Sequence, residues 1–118
     1  YRTFLQSEID KLGLSRHIHL LGQKVNPYPY FKKANLFVMS SRKEGYPNVV
    51  LEALTLGVPV VVTDVVDWTG VIKEGKNGYI AKKNNVDSIK MALVKAFNTE
   101  FKLENETLEN YNYNELFN

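Results

Sequence analysis

The period of the apolar positions changes along the chain, and each change marks an element. Residues 1–13 carry Phe4, Leu5, Ile9 and Leu12 at helical spacing, with Gly13 as a stop. Residues 17–21 (His-Ile-His-Leu-Leu) are short and apolar and end at Gly22, which predicts a strand. Residues 23–26 read as loop. Residues 27–33 hold two prolines and three aromatics, which predicts a short helix beginning near Pro29 with Tyr30 and Phe31 turned inward. Leu36-Phe37-Val38-Met39 is an unbroken apolar run and predicts a strand buried on both faces. Residues 47–56 predict a helix packed on a core, with Pro47 at its first position and Gly57 beyond its end. Residues 58–63 (Val-Pro-Val-Val-Val-Thr) are the strongest strand signal in the chain. Residues 64–69 follow as loop, and 71–74 predict one helical turn. Gly75 and Gly78 frame a turn around Asn77, and 79–81 read as a short strand. Residues 86–97 place Ile89, Leu93, Ala96 and Phe97 at helical spacing, with Asn85 or Asp87 as the cap.

Helices and strands therefore alternate. That order predicts the α/β class, an open parallel Rossmann-like sheet with helices on both faces and right-handed crossovers. The runs 36–39 and 58–63 are expected as adjacent central strands. Ligands of such sheets bind beyond the carboxyl ends of the strands, where the 40–46 and 64–69 loops stand. Residues 1–97 form this unit. Residues 98–118 are rich in Asn and Glu and read as a helical tail, with Leu103, Thr107, Leu108 and Tyr111 on one helix. Tyr111, Tyr113, Leu116 and Phe117 are its candidate anchors to another surface.

Composition narrows the classes. At 118 residues the chain supports one domain of modest core. Its net charge of +2 gives no footprint for nucleic acid. It has no cysteine, so neither disulfides nor thiolate metal sites enter. No apolar run reaches the ~18 residues of a membrane span. The chain opens at Tyr1 without a Met, inside a predicted helix, which suggests a piece of a longer protein.

The candidate chemistry sits in the stretch from Glu44 to Glu52. Between Glu44 and Asp64, Glu52 is the only charged residue. Gly45 permits a sharp turn. With Pro47 opening a helix, the amides of Asn48, Val49 and Val50 would face outward as a small positive pole suited to phosphate. Glu44 stands just before that pole. Glu52 shares a helical face with Asn48, and a carboxylate can accept two hydroxyl donors, as from a ribose diol. The competing reading is structural. Asn48, Glu52 and Thr55 fall at i, i+4 and i+7 and would then be the solvent stripe of an amphipathic helix. Arg42 and Lys43 either face a phosphate or solvate the loop.

Elsewhere the structural readings lead. His17 and His19 would share one side of a strand, but no third metal ligand accompanies them. Asp64 and Asp67 fit turn caps. Trp68 is either a lid residue or a partner contact. Gly75 and Gly78 lack the strand-then-glycine pattern of a dinucleotide site. A phospho-acceptor switch domain would need an acidic cluster at strand ends with a facing Lys, and none assembles.

The segment Ser41-Arg42-Lys43-Glu44-Gly45-Tyr46-Pro47-Asn48-Val49-Val50-Leu51-Glu52-Ala53 resembles the signature of the group 1 glycosyltransferases, retaining enzymes of GT-B fold. That family carries two glutamates separated by seven residues at this junction. His19-Leu20-Leu21-Gly22, the run from Ala34 to Ser41, the run from Gly57 to Asp64 and the run from Gly75 to Ile80 match it too. The likeness covers about residues 1–97, in order and in register. It implies the carboxyl-terminal, donor-binding half of a transferase that moves a sugar from a nucleotide diphosphate sugar to an acceptor, in glycan or polysaccharide synthesis. By resemblance, Glu52 would hold the ribose hydroxyls and Glu44, the catalytic candidate, the hydroxyls of the donor sugar. The donor-binding set would be Gly45, Tyr46, Pro47, Asn48, Val49 and Arg42, with Gly22 and Gln23 beside the base. The family's fold class needs no metal or other cofactor. Implied partners are the nucleotide-sugar donor and an amino-terminal acceptor domain outside this chain, through which a peripheral contact with the inner face of a membrane would be made. The implied location is cytoplasmic.

Two departures stand out. The strand and the Arg- and Lys-bearing loop that open the family's carboxyl-terminal domain are not in this sequence, so the 118 residues alone are expected to transfer no sugar. The family also often has a glutamate five residues before the glycine matched by Gly75, where this chain has Gly70. Gly70 favours a non-catalytic nucleotide-sugar binding or interaction module of the same fold; Glu44 and Glu52 favour the enzyme.

Overall fold

Three parallel strands carry the structure: β1 (Phe37–Met39), β2 (Val60–Thr63) and β3 (Gly78–Ala81), in the order β1-β2-β3. Phe37 pairs with Val60, and Val60 with Gly78. The structure, a computed structural model, describes residues 1–22, 27–45 and 47–101. Its helices are α1 (Arg2–Lys11), α2 (Tyr28–Lys33), α3 (Asn48–Thr55) and α4 (Val86–Phe97).

The alternation of β2 explains the layering. Side chains of a strand point to opposite faces in turn. Val60 and Val62 pack with Val50, Ala53 and Leu54 of α3. Val61 points the other way, toward Ala92 and Ala96 of α4, with Ala81 of β3 beside it. Every residue of β2 is buried, so the strand reads as an apolar run with no polar face. Val50, Leu51 and Leu54 are fully buried, each contributing about 1.5–3 kcal/mol over an exposed side chain. That burial outweighs the weak helix propensity of the Val49-Val50 pair.

Caps fix the helix ends. Gly57 follows α3 at φ +79°, its amide donating to the Leu54 carbonyl at 3.0 Å and the Val58 amide to the Ala53 carbonyl at 2.9 Å. These bonds satisfy the last carbonyls of the helix. α4 opens on Asn85, whose side chain accepts the Ser88 amide at 2.9 Å, so Asn85 rather than Asp87 is the cap.

Several expectations are corrected. Residues 17–21 form no strand. The His17 and Ile18 amides donate back to the Leu14 carbonyl, the Arg2 guanidinium takes the Leu20 carbonyl, and no neighbouring strand is available to them among the described residues. Among the described residues β1 is an edge strand, not a central one. Phe37 and Met39 pack toward the α3 cluster, but Val38 on the other face is 43% exposed, because α4 lies over β2 and β3. α2 begins at Tyr28, and only Phe31 turns inward, edge-on to Phe37 at 5.4 Å. Tyr30 stays exposed. The helical turn expected at 71–74 does not form; a hydrogen-bonded turn at 68–72 stands beside it, with Gly70 at φ +80° and the Val71 and Ile72 amides donating to the Trp68 carbonyl. Pro47 is the residue before α3 rather than its first, since its ψ of 92° is extended. The expected helix through the tail falls on residues 102–118, outside the described residues. Phe101, the last residue described, packs edge-on to Tyr79 at 5.9 Å.

Candidate functional site

The loops after β1 and β2 leave the same edge of the sheet and are stitched together there. The buried Thr63 ends β2, and its hydroxyl donates to the Ser41 carbonyl at 2.6 Å, 22 residues away in sequence. The Trp68 indole N–H donates to the Thr63 carbonyl at 3.0 Å. The carboxyl end of β3 joins the same edge: the Asp64 amide donates to the Ala81 carbonyl, and the Asp64 carboxylate accepts the Lys83 amide at 2.8 Å. Trp68 is thus a core residue, 3% exposed in the cluster under α3, and not a lid.

On this frame sit the residues singled out in the sequence. Glu44 is exposed, and the Ser41 hydroxyl donates to its Oε1 at 2.9 Å. Arg42, Lys43, Gly45 and Asn48 are exposed, Val49 is half-buried and Pro47 is buried. Pro47 offers α3 no side-chain acceptor. The Val50 amide is taken by the Pro47 carbonyl at 3.1 Å, which corrects the expectation that it is free. Among the described residues, nothing accepts from the amides of Asn48 or Val49. The positive pole of α3 is therefore carried by those two. Tyr46 and Gln23 lie outside the described residues.

Glu52 is half-buried on α3. The solvent-stripe reading of its face holds only in part. Asn48 is exposed, but Thr55 is buried, its hydroxyl donating to the Glu52 carbonyl at 2.8 Å. The face dips into the protein toward its carboxyl end and leaves Glu52 at the boundary. Gly22 is exposed, and no hydrogen bond ties it to the junction among the described residues.

Other candidates resolve structurally. Asp67 accepts from the Thr69 hydroxyl at 2.6 Å and the Thr69 amide at 2.9 Å, and the hydroxyl, then the amide, hold its carboxyl below the usual value. It is a turn cap. His17 and His19 are exposed. Among the described residues no group of three His, Cys, Asp or Glu could hold a metal, and no helix is long and apolar enough to cross a membrane. A cavity of about 310 Å³ between β3 and α4, bordered by Tyr79, Ile80, Met91 and Lys95, shares no residue with the junction.

The link from Thr63 to Ser41 is a feature of the fold. Ser41 three residues before Glu44 is a local signal for a side-chain hydrogen bond. Nothing in the sequence marks its tie to Thr63.

Comparison with known proteins gives the family. Residues 1–115 match the family model described as glycosyl transferases group 1. An uncharacterized glycosyltransferase of Methanocaldococcus jannaschii is 50% identical over 60 residues, covering 51% of this chain and 15% of that protein. A capsular polysaccharide biosynthesis glycosyltransferase of Staphylococcus aureus is 30% identical over 95 residues, covering 79% of this chain and 25% of the relative. The chain thus spans a quarter or less of these relatives' length. A lipopolysaccharide outer core galactosyltransferase, solved in its apo form, superposes with a TM-score of 0.74 at 20% identity, over 94% of this chain and 36% of that one. That likeness concerns the fold, which is the one found in GT-B glycosyltransferases. By the family match across nearly its whole length, the chain belongs to the glycosyl transferases group 1 family.

Proposed function

We propose that this chain forms the donor-binding part of a retaining glycosyltransferase that moves a sugar from a nucleotide diphosphate sugar to a hydroxyl acceptor, in polysaccharide or glycan synthesis. One observation carries the reading. Glu44, the Asn48 and Val49 amides and Glu52 follow one another across a single strand–loop–helix junction at the carboxyl edge of a parallel sheet. Each matches a different part of a nucleotide sugar. Glu52 accepts from the ribose diol. The amides and the α3 pole face the diphosphate. Glu44 accepts from hydroxyls of the sugar. In the transfer, the bond from the anomeric carbon to the phosphate oxygen breaks, the acceptor oxygen bonds to that carbon, and the hydroxyl proton leaves with the nucleoside diphosphate. The acceptor site and the further phosphate-binding cations belong to parts of the protein outside these residues, with no metal taking part. The capsular polysaccharide relative supports the synthetic context.

The alternative, a non-catalytic nucleotide-sugar binding module, is favoured by Gly70, which stands in a left-handed turn where the family often carries an acid.

The test is calorimetric titration of the whole protein with UDP, GDP and ADP and with UDP-glucose, GDP-mannose and ADP-glucose. Hydrogen bonds to a charged group contribute about 1.5–3 kcal/mol, or one to two decades in affinity. Glu52→Ala should weaken the nucleotide and its sugar form by similar factors. Glu44→Ala should spare the bare nucleotide and weaken only the sugar form. Failure of all six ligands to bind the unaltered protein would overturn the reading. Equal losses for both ligands in Glu44→Ala would remove the role given to that residue. Donor binding without transfer to any acceptor would favour the binding module.

A further inference from the structure

Glu44 is exposed and sits on a loop, a poor place from which to hold a carboxylate in one orientation. Exposed carboxylates sample several rotamers, and fixing one costs side-chain entropy. Three hydrogen bonds run from the core to this one. The Trp68 indole donates to the Thr63 carbonyl at 3.0 Å. The Thr63 hydroxyl donates to the Ser41 carbonyl at 2.6 Å. The Ser41 hydroxyl donates to Glu44 Oε1 at 2.9 Å.

The burial along this path is graded. Trp68 and Thr63 are 3% and 1% exposed, Ser41 is half-buried and Glu44 is exposed. Thr63 is the pivot. It is the last residue of β2, so its backbone is fixed by the ladder with β3, where it pairs with Ala81. Its hydroxyl reaches across to the first loop residues after β1. The adjacent β1 and β2 thereby fix Ser41 relative to the sheet, and Ser41 fixes one oxygen of Glu44. Among the described residues nothing takes the other oxygen, Oε2.

We propose that Ser41 and Thr63 are positioning residues for the donor sugar, Ser41 by orienting the Glu44 carboxylate and Thr63 by anchoring Ser41 to the end of β2. Neither touches the donor. This rests on the proposed role of Glu44 and adds the residues that give its carboxylate a direction. Held in this way, the carboxylate presents one lone-pair face to the sugar hydroxyls. Released, it still carries its charge but must be ordered by the ligand, and affinity falls by that cost.

The test uses the whole protein and the nucleoside diphosphate and nucleotide-sugar pair that it binds best among the six ligands named above. The variants are Ser41→Ala, Thr63→Val, Thr63→Ser and Glu44→Ala. Ser41→Ala and Thr63→Val should each weaken the nucleotide sugar about fivefold, the worth of one ordinary hydrogen bond, and leave the bare nucleotide within about twofold. Thr63→Ser keeps the hydroxyl and should restore the unaltered affinity. In Glu44→Ala, adding Ser41→Ala should cost nothing further, because the group it orients is gone. Equal weakening of both ligands in Ser41→Ala and Thr63→Val would make the two residues merely structural and overturn the inference. So would unchanged sugar binding in Ser41→Ala beside a selective loss in Glu44→Ala, and that result leaves the role of Glu44 standing. A Glu44→Ala variant that binds both ligands normally would instead sink the reading of Glu44 itself.

Discussion

Gly70 offers a prediction on which the family pattern and the backbone disagree. The family often places a glutamate at this position, so Gly70→Glu looks like a restoration. The backbone opposes it. Gly70 has φ +80°, and a Cβ there would meet nothing within 4 Å. The added Cβ therefore gains no contact and meets no clash, and the cost of the substitution is backbone strain. Holding an L-residue in the left-handed region costs about 1–2 kcal/mol. Replacing glycine also restricts the unfolded chain, which returns about 0.4–1 kcal/mol. The net expectation is a loss of about 1 kcal/mol for Gly70→Ala and a similar loss for Gly70→Glu, because both carry the same backbone strain. Gly70→Asn should lose less, since Asn tolerates this region. Urea unfolding followed by the emission of Trp68, the chain's only tryptophan and a buried one, reads the difference. In thermal unfolding the loss should lower Tm by about 4 °C for a domain of this size. A Gly70→Glu protein as stable as the unaltered one, or more so, would refute the reasoning and return Gly70 to a simple family substitution.

Other predictions concern the frame that holds the junction. A Cβ added to Gly78 would run into the backbone carbonyl of Val60 on the paired strand, so Gly78→Ala should force β2 and β3 apart and cost about 1–3 kcal/mol; an unchanged urea midpoint would contradict this. Asn85→Ala removes the acceptor of the Ser88 amide and should cost about 1 kcal/mol, with Asn85→Asp close to neutral because it keeps an acceptor; unfolding of the two variants side by side decides it.

The parts of the fold written in local pattern were legible. The uninterrupted valines of β2, the glycine after α3 and the cap-and-period pattern of α4 each name their element without reference to any other. What depended on neighbours was not. Residues 17–21 have the composition of a strand, but a strand is a pairing, and among the described residues they have no partner. Val38 is as apolar as Val61, yet one lies at an open face and the other under α4, a difference set by where α4 packs. Thr55 looked like a solvent position by its spacing, and the inward dip of α3 buries it. At the junction, the sequence named Glu44 and Glu52 through their spacing around a glycine and a proline. It did not name Thr63, because a hydrogen bond across 22 residues leaves no local signature. Trp68 was undecided for a similar reason, since a tryptophan in a loop can face either way until the core beneath it is known.

The role of Glu52 is open to a direct measurement. Binding of the preferred nucleoside diphosphate and of its 2′-deoxy and 3′-deoxy analogues is titrated calorimetrically into the whole protein and its Glu52→Ala variant. If Glu52 accepts from the ribose diol, removing either hydroxyl should weaken binding to the unaltered protein by up to one or two decades, the range for a hydrogen bond to a charged group. In Glu52→Ala the same removal should cost almost nothing, because its partner is already absent. Deoxy penalties of equal size in both proteins would contradict the contact and leave Glu52 a boundary residue of α3.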